Sequence, residues 1–358
     1  MESGDPKESS LQELENVLRF HRSLVEYKPT PLRELPGLAG KLGLGRLLVK
    51  DESRRMGLNS FKILGASYAI RRWLDSHPHG ATQTFAAATD GNHGRAVART
   101  ARHLGHESVI YIPSHSGPER ARTIEREGAR VVVLDCSFDE AVDQLARDSL
   151  QHDWVVISDT GYSGRLDIPA WITAGYQTLF EEALEQLEEA AVSKLDYVLL
   201  QGGVGGFASG AINFFNLRSP VPPRAIVVEP VEADCLLESI ASPGGEPASA
   251  RGNLKTAMVC LSCGQPSLTA WPVLRSNVWL FLAIEDSLAF EAQRCWFEPE
   301  NGDPVIASGE SGAAGLGGLL ALCRDAHLIG VRKQLGLDEG SSVLVVNTEG
   351  PVTENMEY

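Results

Sequence analysis

Between residues 84 and 158, short apolar runs and amphipathic stretches alternate with a spacing of roughly twenty residues, the period of successive βαβ crossovers in a parallel sheet. The runs at 84–88, 108–112, 130–134 and 154–158 read as strands, with helices at 92–104, 118–127 and 138–148 between them. A longer helical stretch at 172–190 leads into a second series, with strands at 197–200, 225–229 and 342–346 and a helix at 208–215. Upstream, 47–49 reads as a short buried strand and Thr30-Pro31-Leu32 as a turn. Leu11, Leu14, Val17, Leu18 and His21 mark one face of a helix suited to packing or to a dimer arm. Two such series imply an α/β chain built as two doubly wound lobes with a cleft between them. The reading puts a small α/β domain at 76–180 and a discontinuous large domain at 1–75 and 181–358. A length of 358 residues agrees with two domains.

Composition narrows the function classes. A net charge of −15 without any lysine or arginine run argues against nucleic acid and against anionic membrane surfaces. No apolar run is long enough for a membrane span, and Met1-Glu2-Ser3-Gly4-Asp5-Pro6-Lys7 does not start like a signal peptide, so a cytoplasmic protein is expected. Six scattered cysteines suit a reducing compartment. Cys260 and Cys263 form a lone C-x-x-C with no second ligand pair, which reads as structural, and no metal is expected. The Gly-, Pro- and Ser-rich stretch 242–253 reads as a mobile surface loop.

Four segments could carry chemistry. Lys62, in Asn59-Ser60-Phe61-Lys62-Ile63-Leu64, stands at an apolar helix start, where desolvation penalises an ammonium. It is either a snorkelling surface lysine or one that bonds a carbonyl cofactor. Gln201-Gly202-Gly203-Val204-Gly205-Gly206-Phe207 follows a strand and opens a helix. It is either a tight turn or a cradle whose backbone N–H groups hold a phosphate. Its spacing matches neither the Walker nor the dinucleotide pattern. Ala88-Thr89-Asp90-Gly91-Asn92-His93-Gly94 is a third strand–helix joint, able to aim N–H groups at a carboxylate. There Asp90 also reads as an N-cap, and His93 as packed or capping. The loops at 158–165 and 347–350 fall at strand ends as well, where α/β sheets place ligand groups. A lysine, a monophosphate cradle and a carboxylate turn together specify pyridoxal 5′-phosphate and a small amino-acid substrate.

These motifs, in this order, resemble fold-type II pyridoxal-phosphate enzymes, the tryptophan synthase β-subunit superfamily, and within it the diaminopropionate ammonia-lyase group. The resemblance includes Val49-Lys50-Asp51-Glu52-Ser53, Ile168-Pro169-Ala170-Trp171, Val228-Glu229-Pro230, Ser308-Gly309-Glu310-Ser311-Gly312 and Thr348-Glu349-Gly350. It implies two α/β domains with the cofactor in the cleft and a homodimer. The implied reaction is α,β-elimination, taking 2,3-diaminopropionate to pyruvate and ammonia. Lys62 would be the Schiff-base lysine, with Phe61 beside the ring and Asn92 on the ring oxygen. Gly203, Val204, Gly205 and Gly206 would hold the phosphate, and Thr348 would face the pyridine nitrogen. Asp90 and Asp159 would join Lys62 in catalysis, and Gly91, His93, Tyr162 and Arg165 would line the substrate side. Gly161-Tyr162-Ser163-Gly164-Arg165 and Gly350-Pro351-Val352 depart from the family pattern and leave the substrate open. A dehydratase of threonine, serine or 3-hydroxyaspartate, a β-replacement enzyme and a non-catalytic cofactor-binding protein are the alternatives.

Overall fold

A computed structural model of the chain describes residues 6–78, 81–89, 91–160, 166–299 and 301–351. Among them, ten strands form two sheets. The larger has six strands: β1 (Leu32–Glu34), β2 (Arg46–Asp51), β7 (Tyr197–Gln201), β8 (Arg224–Pro230), β9 (Val278–Ile284) and β10 (Ser342–Asn347), in the order β1-β2-β10-β7-β8-β9. Every neighbouring pair is parallel except β1–β2. The smaller sheet is fully parallel, in the order β5-β4-β3-β6, from β3 (Thr84–Ala88), β4 (Glu107–Pro113), β5 (Arg130–Leu134) and β6 (Val155–Val156). The chain has the fold-type II α/β architecture.

Strand sequences explain the burial. Tyr197–Gln201 is buried along its whole length, and five of the six residues of Ser342–Asn347 are buried. Strands covered by helices on both faces read as continuous apolar runs rather than as an alternation. One apolar cluster runs from Phe85 and Ile110 of the small sheet through Ile63, Leu64 and Phe180 to Val198 and Leu200 of the large one. A second fills the opposite face of the large sheet around Val49, Leu199, Leu316 and Trp296.

The differences from the sequence reading are local. The N-terminal helix, Pro6–Ser23, packs inward: buried His21 contacts the Thr178 hydroxyl at 2.7 Å and the Leu64 carbonyl at 3.0 Å. Burial lowers the His21 pKa to about 3, so its ring is neutral. The single helix expected at 172–190 is two, Asp167–Gly175 and Gln177–Glu189, meeting at Tyr176. A Cβ at Gly175 would stand 2.5 Å from the Leu64 carbonyl oxygen, so glycine there permits the close approach to the helix Lys62–Ser76. Strand β9 is absent from the sequence reading because it follows the helix Trp271–Asn277 with no loop between. The 242–253 stretch is anchored rather than free, since Trp271 Nε1 donates to the Gly245 carbonyl at 3.0 Å and Ser239 Oγ to that of Ala248 at 3.3 Å. Among the described residues, no single helix is long and apolar enough to cross a membrane.

Candidate active site

The C-terminal ends of β2, β3, β6, β7 and β10 deliver their loops to one cleft between the sheets, the place where open α/β sheets bind ligands. Backbone bonds fix the first of these loops. Ser60 bridges to Glu349, Phe61 N donates to the Thr348 carbonyl at 3.3 Å, and Gly350 N donates to that of Asn59 at 2.9 Å. The end of β10 thereby clamps the start of the helix Lys62–Ser76, and Lys62 and Thr348 both face the cleft.

Lys62 Nζ donates to Asp159 Oδ2 at 2.9 Å and lies 5.5 Å from the Phe61 ring centroid and 5.8 Å from that of Tyr176. Burial alone would lower the pKa of this ammonium, but the Asp159 carboxylate and Tyr176 outweigh it and hold the group above the ordinary lysine range. Burial likewise works against the Asp159 anion, yet Lys62 first and His93 second bring its pKa down to about 2. Asp159 owes its position to a small turn: Ile157 N still donates to the Ala86 carbonyl at 2.8 Å, and Ser158 Oγ then accepts from Thr160 N at 3.2 Å. Burial pushes the Tyr176 phenol up to about 12, so it stays protonated beside Lys62.

Opposite stands the glycine loop. Gly203 at φ +60° and Gly205 at φ +95° use left-handed backbone that other residues rarely adopt. They turn the chain into the helix Gly206–Arg218, whose first amides have no acceptor within the helix. A Cβ at Gly203 would make only ordinary contact with Cys263 Sγ at 3.6 Å and Leu261 at 3.7 Å, so the left-handed backbone rather than lack of space calls for glycine there. Beneath Gly202 lies the buried Glu229 carboxyl, which accepts from Leu236 N at 3.0 Å and Leu237 N at 2.9 Å.

The third wall is the joint after β3. Thr89 Oγ1 accepts from Gly91 N at 2.9 Å and Gly94 N at 3.3 Å, so two of the amides that the sequence offered to an anion are already satisfied. Asn92 opens the helix Asn92–His103; its Nδ2 donates to Glu349 Oε2 and lies 3.4 Å from Cys260 Sγ. Buried His93 points Nε2 at the Ile157 carbonyl, 2.7 Å away, and burial lowers its pKa. A carbonyl can only accept, so Nε2 carries the proton and Nδ1 presents a lone pair.

Lys62, Phe61, Gly91, Asn92, His93, Asp159, Gly203, Val204, Gly206 and Thr348 all line this cleft. Gly205 stands behind it, where a Cβ would meet Leu274 at 2.7 Å. Asp90, Tyr162 and Arg165 lie outside the described residues. Among the cleft residues that escaped the sequence reading are Tyr176, Gln201, Cys260 and Glu349. Glu349 had a signal in its neighbour Thr348. Cys260 lies in the short turn Val259–Leu261 beside the glycine loop, and both it and Cys263 form part of the cleft wall. A larger concavity of about 1010 Å³ near Trp73, Trp154 and Pro169 has no lysine and no glycine cradle among its described lining residues, so volume alone misleads here.

The cleft suits a carbonyl compound with one phosphate. Lys62 can bond the carbonyl, the glycine cradle presents N–H groups, and Gln201 Oε1 and His93 Nδ1 are buried without a partner among the described residues. Residues 24–348 match the family described as pyridoxal-phosphate dependent enzyme. The chain is 40% identical to diaminopropionate ammonia-lyase of Escherichia coli (strain K12), over 93% of this chain and 87% of the relative. The Salmonella typhimurium enzyme of the same name is 38% identical over 95% and 89%. A crystal structure of the Escherichia coli enzyme with an aminoacrylate-PLP azomethine reaction intermediate superposes with a TM-score of 0.90 at 39% identity, covering 97% of this chain and 91% of that one. Cleft and kinship agree: this chain belongs to the pyridoxal-phosphate dependent enzyme family, in its diaminopropionate ammonia-lyase branch of carbon–nitrogen lyases.

Proposed function

We propose that the chain eliminates ammonia from 2,3-diaminopropionate, and that with one water the products are pyruvate and two ammonia. The observation that carries this reading is the Lys62–Asp159 pair, an amine and a carboxylate in proton-transfer contact 2.9 Å apart on the wall of the cofactor cleft. Removing an amine from Cβ needs a base for the Cα proton and an acid for the departing nitrogen. Pyridoxal phosphate, when bound, supplies the electron sink that makes the Cα proton acidic. Lys62 Nζ is the group that takes this proton, and Asp159 Oδ2 is the group that relays one to the leaving nitrogen. Asp90, next to Gly91 in the chain, serves as the alternative base for a substrate of opposite hand and draws the β-ammonium into place.

The remaining residues bind and orient. Gly203, Val204, Gly205 and Gly206 would hold the phosphate, Phe61 would pack beside the ring and Thr348 would meet the pyridine nitrogen. A hydroxyl there would leave that nitrogen unprotonated and the sink weak, which would favour prompt elimination over transamination. Asn92 would donate to the ring oxygen. Gly91, His93, Tyr162 and Arg165 line the substrate side.

The test is a panel of 2,3-diaminopropionate, serine, threonine, 3-hydroxyaspartate and O-acetylserine with coupled keto-acid and ammonia detection. The highest kcat/KM is expected for 2,3-diaminopropionate. Turnover of a hydroxy acid or an O-acetyl substrate without release of ammonia from diaminopropionate would overturn the assignment in favour of a dehydratase or a β-replacement enzyme. A coloured holoprotein inert to all five would point to a non-catalytic binder. We also propose a cytoplasmic homodimer with a small domain at 76–180 and a large one at 1–75 and 181–358. Sedimentation and limited proteolysis test these two points.

A further inference from the structure

We propose that Glu349, with Cys260 and Arg120 behind it, is a positioning group that decides which edge of the Asn92 amide faces the cofactor. The inference rests on the reading above in which Asn92 meets the ring oxygen. An amide presents either two donors or a lone-pair oxygen, and the two orientations differ by a flip that leaves its shape almost unchanged. A carboxylate removes the ambiguity because it can only accept. Glu349 Oε2 takes the hydrogen bond of Asn92 Nδ2 and so holds the N–H edge towards itself.

Cys260 completes the device. Its Sγ donates to the same Glu349 oxygen at 3.2 Å, while accepting from Arg120 Nη1 at 3.3 Å and lying 3.4 Å from Asn92 Nδ2. Burial first, and the Glu349 carboxylate second, push this thiol up to about 12, so it remains a donor. Since Sγ and Oε2 are only 3.2 Å apart, both sit at one edge of the amide and can share one N–H. The second N–H of Asn92 is then left for the ring oxygen.

The cleft is shaped to keep Glu349 there. Its backbone is bridged to Ser60, and a Cβ on Gly309 would stand 2.9 Å from Glu349 Oε1, so a larger residue at 309 would displace the carboxylate. The network also joins the two sides of the cleft. Asn92 opens one helix attached to the small sheet and Arg120 lies in the first turn of another, Pro118–Arg126, while Cys260 and Glu349 belong to the large-sheet side.

The spectrum of the holoenzyme reads the amide orientation. A donated N–H favours the ionised ring oxygen and the visible-absorbing form. A flipped amide offers an oxygen instead, and the ring oxygen must then keep its proton, which favours the near-ultraviolet form. Glu349→Gln is expected to lower the visible to near-ultraviolet ratio by about tenfold, the effect of losing one charge-assisted hydrogen bond. Far-ultraviolet circular dichroism and cofactor titration run alongside. Cys260→Ser should retain the wild-type ratio and Cys260→Ala should lower it, which decides the matter even if Glu349→Gln does not fold. Asn92→Ala separates the two readings. An unchanged spectrum there removes the Asn92 contact and this inference with it. A changed Asn92→Ala spectrum beside wild-type spectra for Glu349→Gln and Cys260→Ala overturns the positioning role alone.

Discussion

Lys50 Nζ lies 2.8 Å from Glu182, and Lys62 Nζ lies 2.9 Å from Asp159, yet the two pairs do opposite jobs. Lys50 is fully buried, and its three N–H groups go to Glu182, to the Thr30 carbonyl at 2.7 Å and to Gln186 at 2.9 Å. Arg55 closes the same cluster with bonds to Glu52 and Glu182. Burial lowers the Lys50 pKa, with Glu182 and Glu52 opposing the fall. Among the described residues, Lys62 has one acceptor and two ring faces, and its side chain remains 21% exposed on the cleft side. An ammonium with every donor satisfied is structural; one with donors to spare can react. Distance to a carboxylate does not separate the two, whereas saturation does.

Removing each lysine or its partner breaks the comparison in turn. Lys62→Ala should abolish the visible absorbance of the holoenzyme and lower kcat by about 10⁴-fold or more, with a far-ultraviolet spectrum like the parent's. A surviving visible band would remove Lys62 from the cofactor. Glu182→Ala leaves Lys50 and Arg55 buried without their shared counter-charge. It should cost about 3–5 kcal/mol, read as a lower urea midpoint, while any folded fraction keeps the visible band. An unchanged midpoint would mean that water enters the cluster.

Asp159→Asn sharpens the contrast inside the cleft. Without the carboxylate, burial dominates and the Lys62 pKa falls, because the group that held it up is gone. Cofactor addition, which needs a neutral amine, should therefore begin at lower pH. Elimination should slow by about 10²–10³-fold for want of the proton relay, with a loss of stability smaller than that of Glu182→Ala since the pair is part-exposed. Turnover at the parent rate would take Asp159 out of the chemistry.

How far the sequence carries the reader differs between these regions as well. Lys62, Asn92 and Gly203 stand at strand–helix joints, where a few consecutive residues declare the local geometry. The sheets were legible for the same reason, since a buried parallel strand such as Tyr197–Gln201 is a compact apolar run. Glu349 and Cys260 are opaque because their meaning lies in contacts to Asn92 across 257 and 168 residues of chain. Tyr176 hid inside what reads as one helix until the junction at that residue turned its ring to Lys62. The Lys50 cluster was visible only as a motif, Val49-Lys50-Asp51-Glu52, whose partner Glu182 lies 132 residues away from Lys50.

The smallest effect extends the comparison to two carboxyl groups flanking the cofactor site. The folded Asp159 pKa of about 2 is below its ordinary value of about 3.9, so its contribution to stability is present above pH 4 and lost as pH falls towards 2. Glu229 has the opposite sign. Burial raises it to about 8, against the pull of the Leu236 and Leu237 amides, so the folded protein holds that proton more tightly than the unfolded chain does. Its contribution is complete below about pH 4.3 and is lost as pH rises through 8. Glu229→Gln removes this dependence. Relative to the parent, the variant should gain about 1 kcal/mol between pH 5 and pH 9, after allowance for relaxation around the buried charge. Urea midpoints at pH 5, 7 and 9 measure it, and parallel curves would mean that Glu229 is ionised throughout, held by the two amides beneath the glycine cradle.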